Sequence, residues 1–173
     1  MKRLATTCLL AALLVPLSLP AVAATPKPAP HAGMAKQFAF REAMRKLWEE
    51  HVVWTRQFVV SAVADLPDKG AATERLLKNQ SDIGDAIKPF YGDAAGRRLS
   101  ALLSEHITIA AELVAAAKAG DKAKSEDAGK RWNANADEIA LFLSGANPKA
   151  WPAAEMKKMM REHLDLTTAE VVA

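Results

Sequence analysis

LLSEHITIA, residues 102–110, carries the pattern that decides the fold of this chain. The pattern consists of two apolar residues, one variable position, Glu-His and further apolar residues. It places apolar side chains three or four positions apart, which is the period of an amphipathic helix. The pattern recurs as LWEEHVVWT at residues 47–55 and as MMREHLDLT at residues 159–167. No stretch alternates with period two over a useful length, so no sheet is expected. The apolar spacing predicts helices over residues 37–65, 71–88, 94–119 and 122–143, and a fifth that starts near Pro152.

Prolines and glycines separate these helices. Breaks are predicted at Leu66–Gly70, Pro89–Gly92, Gly120 and Ser144–Pro148. Loops of a few residues between long helices force neighbouring helices to run antiparallel. The predicted fold is therefore all-α, an up-down antiparallel helical bundle of four to five helices.

The helices also suggest an internal repeat. The three Glu-His patterns are offset by 55 and 57 residues, and Asn79–Ile83 aligns with Asn135–Ile139 at an offset of 56. This indicates a repeated α-hairpin of about 56 residues, in which one helix carries Glu-His and the next carries an Asn. A partner for His163 would fall near residue 191, beyond the sequence, so the third hairpin is expected to be incomplete. We expect this to leave a seam that binds a second copy or another helical protein.

The first 23 residues have the order of a secretory signal peptide. A short basic segment, Met1-Lys2-Arg3, precedes an apolar run, and Ala21-Val22-Ala23 supplies the small residues of a cleavage site. Residues 24–36 are rich in proline and predict a flexible lead-in, followed by a helical bundle domain over residues 37–173. The expected location is periplasmic or secreted, with no stable membrane span after cleavage.

Charge and cysteine content exclude several classes of partner and chemistry. The chain has 23 basic and 20 acidic residues, and loss of Lys2 and Arg3 with the signal would leave 21 against 20. This near balance gives no reason to expect nucleic acid binding. Cys8, the only cysteine, lies in the predicted signal, so no disulfide or thiolate metal site is expected in the mature chain.

Polar residues interrupt the apolar stripes at corresponding places. His51, His106 and His163 each fall on the inward stripe of a helix, and all three helices run in the same direction. The two helices between them place Asn79, Gln80 and Asn135 on their own stripes. An unpaired buried polar group costs roughly 1–3 kcal/mol, so these side chains are expected to meet in a polar layer.

Three interpretations of this layer remain open. It can be a structural hydrogen-bond layer, or a catalytic acid–base cluster. It can also bind a small ligand or a transition metal such as zinc, copper, iron or nickel, with His51, His106 and His163 joined by Glu50, Glu105 or Glu162. The distances among the histidine side chains would distinguish these cases. No nucleophile stands out, so a non-enzymatic binding protein is the main expectation, with an enzyme of unidentified type as an alternative.

Several stretches resemble a family of small secreted bacterial helical-bundle proteins of unsettled function. The resemblance covers about residues 45–173, and its clearest motifs are LWEEHVVW at 47–54, NQSDIGDAIKPFYG at 79–92, NADEIALFL at 135–143 and EHLDLTT at 162–168. The resemblance implies a helical bundle, and relatives that continue for one more helix. Some relatives carry a glycosyltransferase label. The sequence does not support that label, because it has no nucleotide-binding α/β pattern and no Asp-x-Asp motif.

Overall fold

Residues 30–172 form a bundle of five helices, as the sequence predicts. The computed structural model describes residues 30–172, with side chains from 33 to 171, and no strand occurs in that part of the chain. The predicted signal peptide and residues 24–29 of the predicted lead-in lie outside the described residues. The helices are α1 (Pro30–Val63), α2 (Lys69–Tyr91), α3 (Asp93–Lys118), α4 (Lys122–Ala146) and α5 (Ala153–Val172).

The start of α1 differs from the prediction. Helix was expected from residue 37, yet α1 already begins at Pro30, so residues 30–36 are helical and not a flexible lead-in. Proline suits the first turn of a helix, where its missing N–H would have no partner in any case. The alanines, Met34 and Lys36 that follow are good helix formers.

The first two connections between helices each contain a residue with a positive φ, in the left-handed region of backbone conformation. Asp65 has a φ of 53° just after α1, and the N–H of Leu66 donates to the carbonyl of Ser61 at 2.9 Å, which closes the helix end. Gly92, with a φ of 85°, separates α2 from α3. Helix α2 was predicted to end at residue 88, but it runs through Pro89 to Tyr91. A proline in the last turn removes only one hydrogen bond there, so the helix can continue past it.

The helices pack as a series. Close backbone approach joins α1 to α2, α2 to α3, α3 to α4 and α4 to α5, and α1 also touches α3. Helices α2 and α3 approach each other closely at a pair of glycines. A Cβ built on Gly84 would lie 2.5 Å from the carbonyl oxygen of Gly96, and one built on Gly96 would lie 2.6 Å from that of Gly84. These two glycines let the helices approach more closely than larger residues would allow.

Helix α3 is the centre of the bundle. It lies between α2 and α4, and its buried residues include Leu102, His106 and Ile109. Within the described range, α3 is the one helix whose length and apolar composition would suffice to cross a membrane, a property that the core helices of soluble proteins share. Its central place brings His106 to the middle of the molecule.

Candidate functional site

Residues from all five helices line a partly open cavity of about 80 Å³ in the middle of the bundle. The three histidines singled out by the repeat line it together: His51 from α1, His106 from α3 and His163 from α5. The rest of the wall is mostly apolar, with threonines at one side. Its other residues are Thr55, Phe58, Val59, Leu76, Ile107, Ala110, Leu113, Val114, Ala117, Trp132, Thr167, Thr168 and Val171.

His106 is the most deeply buried of the three, with 5% of its surface exposed. Its Nδ1 lies 2.8 Å from Oδ1 of Asn135. The Asn135 amide nitrogen donates to the carbonyl of Leu102 at 3.1 Å and to Glu105 at 3.2 Å, so the oxygen of the amide faces His106 as an acceptor. His106 therefore donates through Nδ1, and its Nε2 carries a lone pair. No described residue offers that Nε2 a hydrogen bond.

His51 has the opposite arrangement. Its Nδ1 lies 3.2 Å from the amide nitrogen of Gln80, which also donates to the carbonyl of Leu76 at 2.9 Å and contacts Oδ1 of Asn79 at 3.2 Å. The amide nitrogen has two hydrogens for these three neighbours; when one of them points at His51, Nδ1 accepts and the ring proton is on Nε2. With that bond made, the described residues leave His106 with a free lone pair and His51 with a free N–H.

His163 lies at the open edge of the site. Its ring lines the cavity, as its place on the inward stripe predicts, but the side chain is exposed and not buried. Helix α5 packs mainly on α4, and no other described helix covers the opposite side of His163. Its ring centroid is 6.0 Å from that of His106, with 24° between the planes. Within residues 33–171 its ring forms no hydrogen bond to another side chain, and no set of three or more His, Asp or Glu side chains is arranged to hold a metal ion.

Burial lowers the pKa of all three histidines, which favours their neutral form. Burial, with a smaller contribution from the charge of His163, lowers the pKa of His51 to about 4. Burial also lowers the pKa of His106 to about 4, and the hydrogen bond to Asn135 opposes part of this shift. The pKa of His163 is lowered as well, by burial of the part of its ring that faces the cavity. Neutral imidazoles are the form that binds metal ions.

The three glutamates proposed as metal ligands do not line the cavity. Glu50 pairs with Arg75 at 2.7 Å, and Glu105 accepts from Asn135. Glu162 is exposed on α5. Each glutamate directly precedes its histidine, and one residue turns the side chain by about 100° around a helix, which takes it away from the cavity. Glu105 thus helps to orient Asn135 from outside the cavity, and Glu50 and Glu162 lie beside the site.

Two polar residues of the cavity wall were not predicted to belong to the site. Thr55 Oγ1 and Trp132 Nε1 are both buried without a hydrogen-bond partner among the described residues. Thr55 follows His51 by one helical turn, so its place on the same stripe was a usable signal. Trp132 packs against His106, with ring centroids 5.2 Å apart. Trp132 lies three residues before Asn135 on the inward stripe of α4, so its position was a usable signal as well.

The predicted layer of amides lies beside the cavity, and two of its bonds occur at corresponding positions. Asn79 donates to the carbonyl of Leu47 at 3.0 Å, and Asn135 donates to that of Leu102 at 3.1 Å. Leu47 and Leu102 each precede a histidine by four residues. These equivalent bonds support the hairpin repeat, which stays a prediction.

No protein-family model, curated protein or solved structure matches this chain. The arguments about function therefore rest on the geometry and chemistry of the cavity.

Proposed function

We propose that this chain is an exported, non-enzymatic protein that binds a metal ion or a small ligand in the histidine cavity. The observation that carries the proposal is Nε2 of His106, an acceptor inside the bundle with no partner in the described structure. Leaving such an acceptor unpaired costs roughly 1–3 kcal/mol. A ligand that donates to this lone pair, or an ion that it coordinates, removes that cost.

The protonation of the site favours a transition metal as the first ligand to test. Imidazole suits zinc, copper, iron and nickel, and the lowered histidine pKa values mean that protons do not compete for the nitrogens near neutral pH. Histidines that bind metals usually donate their other ring N–H to an oxygen, which fixes the ring. The bond from His106 to Asn135 has this form.

The three rings would not act alike toward a metal. Metal–nitrogen bonds are about 2.0–2.1 Å long, whereas the rings of His106 and His163 are nearly parallel and 6.0 Å apart. His163 would have to turn toward the ion, and its exposed position leaves it room to do so. His51 presents an N–H instead of a lone pair, so it would donate to a further group bound to the ion. His106 is thus the fixed ligand and His163 the mobile one.

Elemental and native mass spectrometry of the processed chain would test the proposal. We expect about one equivalent of metal or small molecule in the wild type, none in His106→Leu and less in His163→Ala. Thr108→Ala is the matched control, because Thr108 is exposed on the same helix as His106. Equal, substoichiometric amounts in all four proteins would overturn the proposal.

A purely structural layer is the second candidate, and one observation favours it. His51 and His106 each contact an amide from their own hairpin, Gln80 and Asn135, as a layer that only fixes register would require. In that case His106→Leu combined with Asn135→Leu should fold with nearly wild-type stability, because both polar partners are removed together. It should also leave the ligand content unchanged.

A further inference from the structure

Helices α1 and α5 present apolar faces that no described helix covers. The two helices are the ends of the packing series and do not pack against each other along their length. Trp48 and Val52 on α1 are exposed beside His51, and Met159 and Leu166 on α5 are exposed on either side of His163. Val52 and Leu166 are about two-thirds exposed, at 65% and 66%. We call these two surfaces the free faces; clustered apolar surface of this kind usually marks a binding site.

The even-numbered helices, α2 and α4, show which kind of helix covers such a face elsewhere in the same molecule. Helix α2 packs on both α1 and α3, and α4 packs on both α3 and α5. Each contributes an amide to the carbonyl that lies four residues before a histidine: Asn79 to Leu47, and Asn135 to Leu102. On α5, the carbonyl that lies four residues before the histidine is that of Met159.

The histidine rings of α1 and α3 also contact amides of the even-numbered helices. His51 contacts the amide of Gln80 and His106 contacts the amide of Asn135, each from an even-numbered helix. His163 has no amide partner within the described residues, although its ring lines the same cavity. The free face of α5 thus repeats the acceptors of α1 and α3 without the helix that would bind them.

We propose that the free faces of α1 and α5 bind one amphipathic helix from another polypeptide chain, antiparallel to both. This helix would carry an Asn or Gln level with His163, whose amide contacts the Met159 carbonyl and the His163 ring. Its apolar stripe would cover Val52 and Leu166 and close the cavity on its open side.

The charges beside the free faces define the partner further. Arg41 is exposed on the stripe of α1 that continues to Val52, whereas Arg45 on the same stripe is paired with Glu42 and Glu49. Glu155 and Glu162, each one turn before an exposed apolar residue of α5, are exposed as well. A helix between them should place acidic residues toward α1 and basic residues toward α5.

A synthetic peptide with the sequence of α4, Lys122–Ala146, is a suitable probe, because α4 is a helix of the required kind. Binding to the intact chain would be measured by calorimetry, with NMR to locate the contact. We expect saturable binding with shifts at His163 and Val52. The same peptide with Asn135→Leu should bind about three- to tenfold more weakly, which corresponds to the loss of one hydrogen bond.

Variants of the protein separate the free faces from other apolar surface. Val52→Lys and Leu166→Lys should each abolish peptide binding while circular dichroism remains that of the wild type. Leu141→Lys is the matched control, since Leu141 is half exposed on α4, away from the free faces. The proposal is wrong if the peptide does not bind, or if the Asn135→Leu peptide binds equally well. It is also wrong if the chain self-associates and Val52→Lys abolishes this, because the free faces then bind a second copy.

Discussion

Asn135 determines which ring nitrogen of His106 carries the proton. Its Oδ1 accepts the Nδ1 proton of His106 at 2.8 Å, and its amide nitrogen is committed to the carbonyl of Leu102 at 3.1 Å. Turning the amide over would place its oxygen against that carbonyl and its nitrogen against an N–H. The hydrogen bond to the main chain therefore fixes the tautomer of a histidine on the neighbouring helix.

Asn135→Leu should remove this control. We expect it to lower the free energy of unfolding by about 1–3 kcal/mol, because a buried carbonyl and a ring N–H lose their partner. Ligand affinity should fall by about 10–100-fold, as when an outer partner of a metal-binding histidine is removed. Urea unfolding and ¹⁵N NMR of the ring nitrogens would measure both effects.

Asn79→Leu is the matched control, because Asn79 bonds to Leu47 but does not contact His106. It should destabilise the bundle by a similar amount and leave the His106 tautomer unchanged. If both variants shift the ring nitrogens of His106 equally, the assigned role of Asn135 is incorrect.

The stability of the bundle should depend on pH between about 6.5 and 4. Burial lowers the pKa of His106 from an ordinary 6.5 to about 4, so in this range the unfolded chain binds a proton that the folded chain does not. The stabilisation is complete above pH 6.5 and is lost as the pH falls, at about 1.4 kcal/mol per pH unit for one such histidine. His106→Gln should reduce the slope by that amount. Urea unfolding at several pH values would test this, and an unchanged slope would contradict it.

The crossing of α2 and α3 should tolerate no side chain at its two glycines. Gly84→Ala places a Cβ 2.5 Å from the carbonyl oxygen of Gly96, so the helices must separate. We expect a loss of about 1–3 kcal/mol, typical of overpacking. Gly129→Ala on α4 meets nothing within 4 Å and should stabilise the helix by up to about 1 kcal/mol. Thermal unfolding of the two variants should shift in opposite directions, and equal shifts would argue against the close crossing.

The free faces should bind hydrophobic dyes. Val52→Lys and Leu166→Lys should reduce dye fluorescence, yet change stability by only about 0.5 kcal/mol because both side chains are already exposed. Leu141→Lys should leave the fluorescence unchanged. A similar decrease in all three variants would show that the dye does not distinguish the free faces.

The sequence predicted most of the fold because helix period and chain breaks are local signals. All five helices were placed, and the ends of α2 and α4 differed from the prediction by only a few residues. The larger error, at the start of α1, arose because three prolines in residues 24–36 were taken to exclude helix throughout that segment. A proline at the first position of a helix does not have this effect.

The candidate site was predicted less completely, because packing between helices is not a local signal. The positions of His51, His106 and His163 on the inward stripes predicted that they would lie together, and all three line one cavity. It could not show that the described helices leave one side of His163 uncovered, since exposure depends on which helix packs beside α5. It also could not show that Glu50 would pair with Arg75, 25 residues away.

The serial packing of the helices has a consequence for folding. When each element contacts mainly its neighbours, unfolding starts at the two terminal elements and proceeds inward, as in a solenoid. Amide hydrogens of α1 and α5 should exchange first and those of α3 last. A helix bound between α1 and α5 would convert the open series into a closed ring. Both starting points for unfolding would then be removed at once. Even a partner helix that binds with modest affinity would therefore markedly slow the unfolding of the whole bundle.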